Sequence, residues 1–385
     1  MKIVYIYPKL TLASGTERIL IDKMNCFADQ EGYEVMAITY EQDNHPIIFP
    51  LSSKVIHIDL DARFYELYKY NRFIRIIKWR YYLQRLQKRF NNLMYSFSPD
   101  IVIATTYYVD IMSMINSSPV PFVKMLESHI DQRFIHNHDK NKRLNIYQRL
   151  HGWYEFRTIL RISSKFDKLV ALNKDDVYDW SKRLSTVMIE NMVHLNPLGY
   201  VSSQDTKRVV FVGRYEWQKG VFDLLDIWAK VHIVHSDWHL DMFGDGSLFE
   251  GLTKKANELK ANIHVNHSTT QIFEKYVNST ILLVTSNYEP FGLVMPEAMS
   301  CGLPVVAFDC PSGPANIINN GVDGYLIKNR DMKAFVEKVC YLIEHKDVRL
   351  EMGKAAEQSS LRYSPKVVMP KWKDLFCNML SEKLK

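Results

Sequence analysis

Two carboxylates, Glu289 and Glu297, stand eight positions apart on either side of a Phe-Gly turn. The apolar run at 281–285 predicts a buried strand before Glu289, and Glu297 falls in a predicted helix that begins near Gly292. Carboxylates accept hydrogen bonds from hydroxyl groups, and the N–H groups at a helix start bind anions. The segment therefore suits a ligand with both a phosphate and several hydroxyls, as in a sugar nucleotide.

The alternative is that both glutamates are ordinary surface residues. Against this alternative, Glu297 has apolar neighbours on both sides in the sequence. A carboxylate in such surroundings rarely lacks a partner.

A second loop carries two cations, Arg214 and Lys219, between a predicted strand at 208–212 and a predicted helix. A diphosphate leaving group gains negative charge as its bond to a sugar breaks. A fixed arginine and lysine would stabilise that charge more in the transition state than in the ground state. The alternative is that both cations are solvated residues of an ordinary surface loop.

Three further loops follow predicted strands. Gly15 would let the backbone approach a phosphate or sugar, although a simple turn before a helix explains it equally well. The loop at Gly244 has glycines at 244, 246 and 251, which do not form the dinucleotide fingerprint, so it predicts a tight turn below a nucleotide. His129 could bond a sugar hydroxyl or sit at the reacting centre, or it could be a structural histidine.

A basic segment spans residues 69–89, where no acidic residue interrupts the cations. Apolar residues recur there at helical spacing, which predicts a basic amphipathic helix. Trp and Tyr beside Arg and Lys suit the surface of an anionic membrane, where each cation contributes about 1 kcal/mol. The alternative is a helix whose apolar face packs on its own domain, and no recognised motif supports nucleic-acid binding. The cations expected to contact a membrane or an acceptor diphosphate are Arg72, Arg75, Lys78, Arg85, Lys88 and Arg89.

The composition fits a two-domain protein. The chain has 385 residues, 47% of them apolar, which suffices for two cores. Its five cysteines are scattered, odd in number and without metal-type pairing, which indicates reduced thiols and a cytoplasmic protein. The first apolar run is too short for a signal peptide, and no run of about 18 apolar residues predicts a membrane span. We expect no metal and no cofactor.

Short apolar strands alternate with helices along most of the chain, which predicts an α/β fold of parallel, doubly wound sheets. A turn-rich join near 191–203 predicts two Rossmann-like domains, 1–192 and 193–362, with a ligand cleft between them at the carboxyl ends of the strands. The segment 363–385 predicts an amphipathic helix that packs across one or both domains. Strands are expected at 3–7, 35–40, 55–58, 101–105, 122–126, 168–172, 208–212, 240–243, 263–265, 281–285, 304–308 and 324–327.

Together these motifs resemble the retaining glycosyltransferases of family 4, which have the GT-B fold. The stretch from Glu289 to Glu297 is similar to the family signature of two glutamates with seven residues between them. Arg214 and Lys219 are similar to its diphosphate-binding pair. The resemblance covers nearly the whole chain, but the N-terminal half matches only in architecture and in two short loops.

The resemblance implies a role for each candidate residue. Glu297 would hold the ribose hydroxyls of the donor, and Glu289 would contact the donor sugar. Arg214 and Lys219 would stabilise the leaving diphosphate, and His129 would sit at the reacting sugar. The remaining donor contacts would come from Gly15, from Gly244 and from the backbone of Phe291, Gly292 and Leu293.

The resemblance also implies a reaction. A hexose or N-acetylhexosamine would pass from a nucleotide sugar, expected to be a UDP-sugar, to a glycan or lipid-linked glycan acceptor with an α linkage. Retention is explained in this family without a covalent enzyme intermediate, which fits a chain without an evident nucleophile–base pair. The segment 309–314 is similar to members that build bacterial surface polysaccharides such as lipopolysaccharide or capsule. We therefore expect a peripheral protein on the inner face of the cell membrane.

Two positions depart from the family pattern. Asn316 stands where the family usually has glutamate, which leaves the sugar or phosphate contacts there open. Glu190 replaces the usual proline of the interdomain hinge.

Three other interpretations stay open. Asp59-Leu60-Asp61 has the DxD form that holds Mn²⁺ and a diphosphate in transferases of another architecture, although it lies early in a chain with two Rossmann halves. A sugar-nucleotide epimerase or a phosphorylase could use the same fold. A non-catalytic, membrane-associated assembly protein could also retain it, although the intact set of Glu289, Glu297, Arg214 and Lys219 argues for catalysis.

Overall fold

The computed structural model describes residues 1–12, 14–132 and 146–383. Ala13 of the predicted glycine loop and the last two residues of the predicted C-terminal segment lie outside the described residues. The chain divides into two compact units. Unit 1 comprises Met1–Glu190 and Met369–Lys385, and unit 2 comprises Asn191–Val368. The division falls two residues before the expected boundary at 192, and most of the C-terminal segment joins unit 1.

Unit 1 is built on a parallel sheet in the order β3-β2-β1-β4-β5-β6-β7. Its strands are β1 Lys2–Ile6, β2 Glu34–Thr39, β3 Val55–Asp59, β4 Ile101–Thr105, β5 Val123–Glu127, β6 Lys168–Ala171 and β7 Thr186–Met188. Its helices before residue 190 are α1 Gly15–Asp29, α2 Arg72–Phe97, α3 Val109–Asn116, α4 Ile146–Ser163 and α5 Lys174–Ser181. The short strand β7 was not predicted, because three half-buried residues carry too little pattern.

Unit 2 is built on a second parallel sheet in the order β10-β9-β8-β11-β12-β13. Its strands are β8 Arg208–Val212, β9 His239–Phe243, β10 Ile263–Asn266, β11 Ile281–Val284, β12 Val305–Asp309 and β13 Gly324–Lys328. Its helices are α6 Val221–Val234, α7 Phe249–Leu259, α8 Ile272–Val277, α9 Val294–Met299, α10 Pro314–Ile317, α11 Met332–Glu344 and α12 Lys346–Ser360.

Both sheets are doubly wound, so the predicted fold class is confirmed. Parallel strands covered on both faces are apolar along their length, and β4 and β11 are buried throughout. In each sheet the strand order reverses next to the first strand, between β1 and β4 in unit 1 and between β8 and β11 in unit 2. Ligands of such sheets bind outside the carboxyl ends of the strands at this switch point.

The last helix, α13 Pro365–Lys383, contributes its residues from 369 onward to unit 1. Its Phe376 ring lies 5.2 Å from the ring of Phe27 in α1, and Trp372 lies 6.5 Å from the same ring. Trp372 and Phe376 are both buried. The amphipathic spacing predicted for this segment thus corresponds to an apolar stripe that packs on α1.

Candidate active site

Lys219 and Glu289 form an ion pair at the switch point of unit 2. Lys219 ends the 3₁₀ turn Trp217–Lys219 after β8, and Glu289 lies on the loop after β11. The ammonium of Lys219 donates to Oε2 of Glu289, and the hydroxyl of Ser286 donates to the same oxygen over 3.2 Å. The two charged side chains keep 14% and 8% of their surface exposed. The pair therefore keeps limited contact with solvent.

Backbone contacts fix these two loops against each other. The hydroxyl of Thr285 donates to the carbonyls of Lys219 and Gly220, over 3.0 and 3.1 Å. The N–H of Asn287 donates to the carbonyl of Gln218 over 2.7 Å. Gly220 has a φ of +60°, and a Cβ there would lie 2.0 Å from the Thr285 carbonyl oxygen. Only glycine allows this approach, so the sequence itself sets the distance between the two loops.

Gly292 shapes the turn that follows Glu289. Its φ is +88°, and a Cβ there would lie 2.8 Å from Cγ of Glu289. Gly313 holds the same turn from the other side, since a Cβ at Gly313 would lie 2.4 Å from the carbonyl oxygen of Glu289. Phe291 is buried with its ring 5.4 Å from that of Tyr363. The Phe-Gly turn therefore serves to place the Glu289 carboxylate.

A short helix follows this turn, and it begins close to the predicted position near Gly292. It spans Val294–Met299, with Leu293 as its N-cap. The N–H of Met295 donates to the carbonyl of Gly292 over 3.0 Å, so the positive-φ turn takes the place of a first helical turn. The anion site predicted at this helix start stays a prediction.

Glu297 is the second carboxylate, and it is 4% exposed within α9. The hydroxyl of Tyr276, from α8, donates to its Oε2 over 3.4 Å. This hydrogen bond supplies the partner that a carboxylate among apolar neighbours requires. Glu289 and Glu297 thus differ in their partners, since one accepts from a lysine and the other from a tyrosine.

Arg214 and Gly244 lie on neighbouring loops of the same sheet edge. Arg214 is exposed, and its Nη2 donates to Oε1 of Gln218 over 3.0 Å. A Cβ at Gly244 would lie 2.0 Å from the carbonyl oxygen of Gly213, so the loops after β8 and β9 touch through their backbones. The predicted donor-site residues that the structure places at this edge are Arg214, Lys219, Gly244, Glu289, Phe291, Gly292, Leu293 and Glu297.

Arg330 supports this site, although no sequence pattern singled it out. Its Nη2 donates to the carbonyls of Thr285 and Ser286, over 3.0 and 2.6 Å, and its Nη1 donates to Asp223 over 2.5 Å. The guanidinium therefore holds the chain just before Glu289. An isolated cation two residues beyond a strand gives no local signal, because its role depends on contacts distant in the sequence.

The switch point of unit 1 carries Gly15 at the start of α1, where the preceding Ser14 hydrogen-bonds Glu17. Aromatic rings gather at the ends of β1 and β4, with the rings of Tyr7 and Tyr108 5.7 Å apart. Gly15 and Tyr108 therefore flank the position where this class of sheet binds ligands.

His129 lies two residues beyond β5, and it is 7% exposed. Its Nε2 is 2.9 Å from Oε2 of Glu127, which also accepts from the ammonium of Lys23. Burial alone would raise the pKa of Glu127, but the charge of Lys23 and the hydrogen bond with His129 bring that pKa down to about 2. Glu127 and Lys23 were not predicted, although a lysine among the apolar residues of α1 was a signal.

The basic helix differs from its predicted form. Of the expected apolar face, Leu86 and Phe90 are buried in the core of unit 1, whereas Phe73 and Ile77 are 83% and 71% exposed. Arg89 also differs, because its Nη1 donates to the carbonyls of Leu60 and Asp61, over 2.5 and 2.9 Å. We define the basic surface as the exposed residues Arg72, Arg80, Arg85, Lys88, Phe73, Ile76, Ile77 and Tyr81 together with the half-buried Arg75 and Lys78.

A groove of about 390 Å³ adjoins this basic surface. The ring of Trp79 is part of its lining and stacks on the ring of Phe64, with the ring centres 4.6 Å apart. The groove is lined by apolar and aromatic residues and by two arginines. The lining residues are Phe64, Leu67, Tyr68, Arg75, Ile76, Trp79 and Arg80. Within the described ranges, no helix is both long and apolar enough to cross a membrane.

The Asp59-Leu60-Asp61 motif is engaged by groups of the protein itself. Oδ1 of Asp59 accepts from the hydroxyl of Thr39 over 3.1 Å. Asp61 pairs with Arg63 over 2.5 Å and with Arg89 over 3.7 Å. Among residues 1–12, 14–132 and 146–383, no three His, Cys, Asp or Glu side chains gather as a metal site would require.

The two departures from the family pattern have structural partners. The carboxylate of Glu190 accepts from Lys371 of α13 over 2.8 Å. The side-chain amide of Asn316 donates to the carbonyl of Ser312, one turn earlier. The Asn316 side chain therefore hydrogen-bonds to the backbone that precedes its own short helix, α10.

Part of the chain is similar to known glycosyltransferases. Residues 199–359 match the family described as glycosyl transferases group 1. The amylovoran biosynthesis glycosyltransferase AmsD of Erwinia amylovora is 34% identical over 183 residues, which are 47% of this chain and 51% of AmsD. The lipopolysaccharide 1,6-galactosyltransferase of Escherichia coli (strain K12) is 34% identical over 140 residues, 34% of this chain and 38% of the relative. This chain thus spans about half of AmsD and less of the galactosyltransferase.

The solved structures confirm the GT-B fold. A TarM mutant of S. aureus, crystallised with Fondaparinux, alpha-GlcNAc-glycerol and UDP, superposes with a TM-score of 0.76. The match covers 97% of this chain and 99% of that chain at 15% identity. Because the identity is low, this likeness concerns the fold alone.

Proposed function

We propose that this chain, whose residues 199–359 match the group 1 glycosyl transferases and whose fold is GT-B, is a retaining glycosyltransferase of family 4. It moves a hexose or N-acetylhexosamine from a nucleotide sugar to a glycan or lipid-linked glycan acceptor and forms an α linkage. The product belongs to a cell-surface polysaccharide.

The observation that carries this proposal is the Lys219–Glu289 pair at the switch point of unit 2, followed along the chain by Glu297 in the first turn of α9. A diphosphate attracts Lys219, and a sugar hydroxyl can donate to the Glu289 oxygen that the lysine leaves. The Glu297 carboxylate can accept hydrogen bonds from the ribose hydroxyls. One site thus offers a cation for the phosphates and two acceptors for hydroxyls, which is the chemistry of a sugar nucleotide.

The transfer step needs no nucleophile from the protein. The bond between the anomeric carbon and the phosphate oxygen breaks, and the nucleoside diphosphate leaves with the electron pair. The acceptor oxygen bonds the anomeric carbon from the same face, and its proton passes to the leaving phosphate. Lys219 and Arg214 stabilise the charge that grows on this phosphate, so catalysis consists of positioning and charge stabilisation.

The donor is a UDP-sugar in this proposal. Support comes from relatives, since TarM was crystallised with UDP and the E. coli relative is a galactosyltransferase. Screening UDP- and GDP-sugars by thermal shift identifies the donor, and mass spectrometry of the reaction then tests the activity. We expect an acceptor heavier by one sugar, an α anomeric signal in its NMR spectrum, and undiminished turnover in excess chelator. An unchanged acceptor with a changed donor sugar would indicate an epimerase instead.

We also propose that unit 1 docks on an anionic membrane through the basic surface. The segment 67–99 holds no acidic residue, so the helix charge is uniformly positive. Phe73 and Ile77 are exposed between the cations, as in helices that lie in a membrane interface. The groove above Trp79 suits a hydrocarbon chain of a lipid whose phosphate meets Arg75. This docking places the protein on the inner face of the membrane, where lipid-linked acceptors are available.

Vesicle sedimentation tests the docking. We expect binding to anionic vesicles, weak binding to neutral ones, and loss of binding as salt rises, because exposed charges are screened. The double variant Phe73→Ser/Ile77→Ser should bind anionic vesicles at least about tenfold more weakly. Ile233→Ser/Val234→Ser removes an equally exposed apolar pair of unit 2 and should bind as wild type does. Equal binding of the wild type to anionic and neutral vesicles at low salt would rule out the docking.

A further inference from the structure

The contacts of His129 define how its imidazole is held. One carboxylate oxygen, Oε2 of Glu127, accepts from both Nζ of Lys23 and, at 2.9 Å, Nε2 of His129. The three side chains are only 2–3% exposed. Lys23 comes from α1, whereas Glu127 ends β5, so the cluster joins two elements 104 positions apart in the chain.

The hydrogen-bond direction follows from the charges. An ionised carboxylate can only accept, and Glu127 stays ionised because its pKa is about 2. The proton between the two side chains therefore belongs to Nε2 of His129. Burial lowers the pKa of His129, and the charge of Lys23 lowers it further, against the opposing effect of Glu127. A neutral imidazole that carries its proton on Nε2 has a lone pair on Nδ1.

We propose that Lys23 and Glu127 are positioning residues that hold His129 as the neutral Nε2–H tautomer, so that Nδ1 accepts a hydrogen bond from a sugar hydroxyl. This inference rests on the proposed function, because the hydroxyl is that of a sugar substrate. It assigns the ligand group that His129 recognises, since an acceptor nitrogen pairs with a hydroxyl and repels an unprotonated phosphate oxygen.

Lys23 has a specific task in this arrangement. With Glu127 alone, the negative charge would favour a second proton on His129 and convert Nδ1 from an acceptor to a donor. The lysine cancels that charge. Trp372 of α13 covers the lysine, with Nζ 4.4 Å from the centre of its ring. The C-terminal helix thus seals the pair from water, which keeps the interaction strong.

The neighbouring tyrosines do not alter this charge balance. The ring of Tyr5 lies 5.8 Å from Nζ of Lys23, and Tyr107 follows β4 beside β5. Burial raises the pKa of both phenols far above neutrality, and the Glu127 charge adds to the effect. Both hydroxyls stay uncharged, so Glu127 and Lys23 decide the protonation of His129.

Side-chain ¹⁵N NMR of the wild-type protein reads the tautomer directly. We expect the His129 signals of a neutral ring with the proton on Nε2, unchanged from about pH 8.5 down to about pH 6. A proton on Nδ1, or an imidazolium at neutral pH, would overturn the inference. This result is independent of turnover, so a failure of the proposed function would appear as absent sugar transfer with the NMR pattern intact.

The variant Lys23→Met tests the positioning role through the pH profile. Without the lysine the pKa of His129 should rise, so kcat should fall about tenfold at about pH 6.5 and recover to within about threefold at about pH 8.5. Phe27→Leu disturbs the same helix and its contact with α13 without changing a charge, and it should leave the profile as in the wild type. An unshifted acid limb in Lys23→Met would overturn the role of Lys23.

A second variant covers the case that Lys23→Met fails to fold. Lys23→Met/Glu127→Gln replaces the buried pair by neutral groups of similar volume, which buried ion pairs usually tolerate. The carboxamide can accept or donate, so the NMR spectrum should show both tautomers, and kcat should fall while KM for the acceptor stays within about twofold. Wild-type kcat together with mixed tautomers would contradict the inference.

Discussion

Each unit holds a glutamate bound to a lysine near the carboxyl edge of its sheet, and the two pairs differ in burial. In unit 2 the side chains of Lys219 and Glu289 are 14% and 8% exposed. In unit 1 Lys23 and Glu127 are each 2% exposed, and Lys23 lies against Trp372 of α13. The first pair is therefore closer to solvent, whereas the second pair is enclosed. We propose that the same two residue types serve as a binding pair in unit 2 and as a support for His129 in unit 1.

The largest expected contrast is in stability. Lys23→Met leaves the charge of Glu127 buried beside a neutral side chain, and breaking such a pair costs about 3–5 kcal/mol. Lys219→Met leaves Glu289 with the Ser286 hydroxyl and solvent, so the cost should be about 1 kcal/mol. Urea unfolding, followed by tryptophan fluorescence, measures the free energy of unfolding of both variants. Equal losses of stability in the two variants would contradict the distinction between a ligand-binding pair in unit 2 and a pair that supports His129 in unit 1.

The two sites also differ in how far the sequence predicted them. In unit 2 the site consists of short loops after neighbouring strands, so Lys219, Glu289 and Glu297 stood out by type and spacing. Gly292 then places Glu289 through a local contact, whereas Gly220 meets the Thr285 carbonyl, which is distant in the sequence. The doubly wound fold followed equally from local strand and helix patterns.

At the sheet edge of unit 1 the sequence predicted His129 and Gly15 but not Glu127 and Lys23. Glu127 and Lys23 meet across 104 positions, and no local pattern encodes such a contact. The basic helix α2 also shows a limit of prediction from sequence. Its apolar residues recur at helical spacing along the whole helix, which predicted one continuous apolar face. Only the C-terminal half of that face is buried against the core of unit 1.

A smaller effect tests whether the backbone places Glu289. Gly292→Ala puts a Cβ 2.8 Å from Cγ of Glu289, so the turn must shift, and kcat/KM should fall about ten- to hundredfold. Gly321→Ala is the matched control, since Gly321 has a similar φ of +80° with open space around it. Both variants should lose about 1 kcal/mol of stability from backbone strain. Normal turnover in Gly292→Ala would show that Glu289 does not need this turn.

The smallest effect concerns pH and unit 1. The pKa of His129 is lowered in the folded state, so the unfolded chain takes up this proton first as pH falls through about 6.5. His129 therefore lowers the free energy of unfolding as the pH falls below about 6.5, and this destabilising effect is absent above about pH 7. His129→Gln should reduce this loss by about 1 kcal/mol between about pH 7 and pH 5. Parallel melting curves against pH for the two proteins would contradict a buried neutral histidine.

The central claim is that Lys219 belongs to a nucleotide-sugar site in unit 2. Calorimetric titration with UDP tests it most directly, in the wild type, in Lys219→Ala and in Lys254→Ala, which removes an exposed lysine of α7. Loss of one charge-assisted hydrogen bond should weaken UDP binding about ten- to hundredfold in Lys219→Ala, with Lys254→Ala equal to the wild type. Equal UDP affinity in all three proteins would contradict the claim.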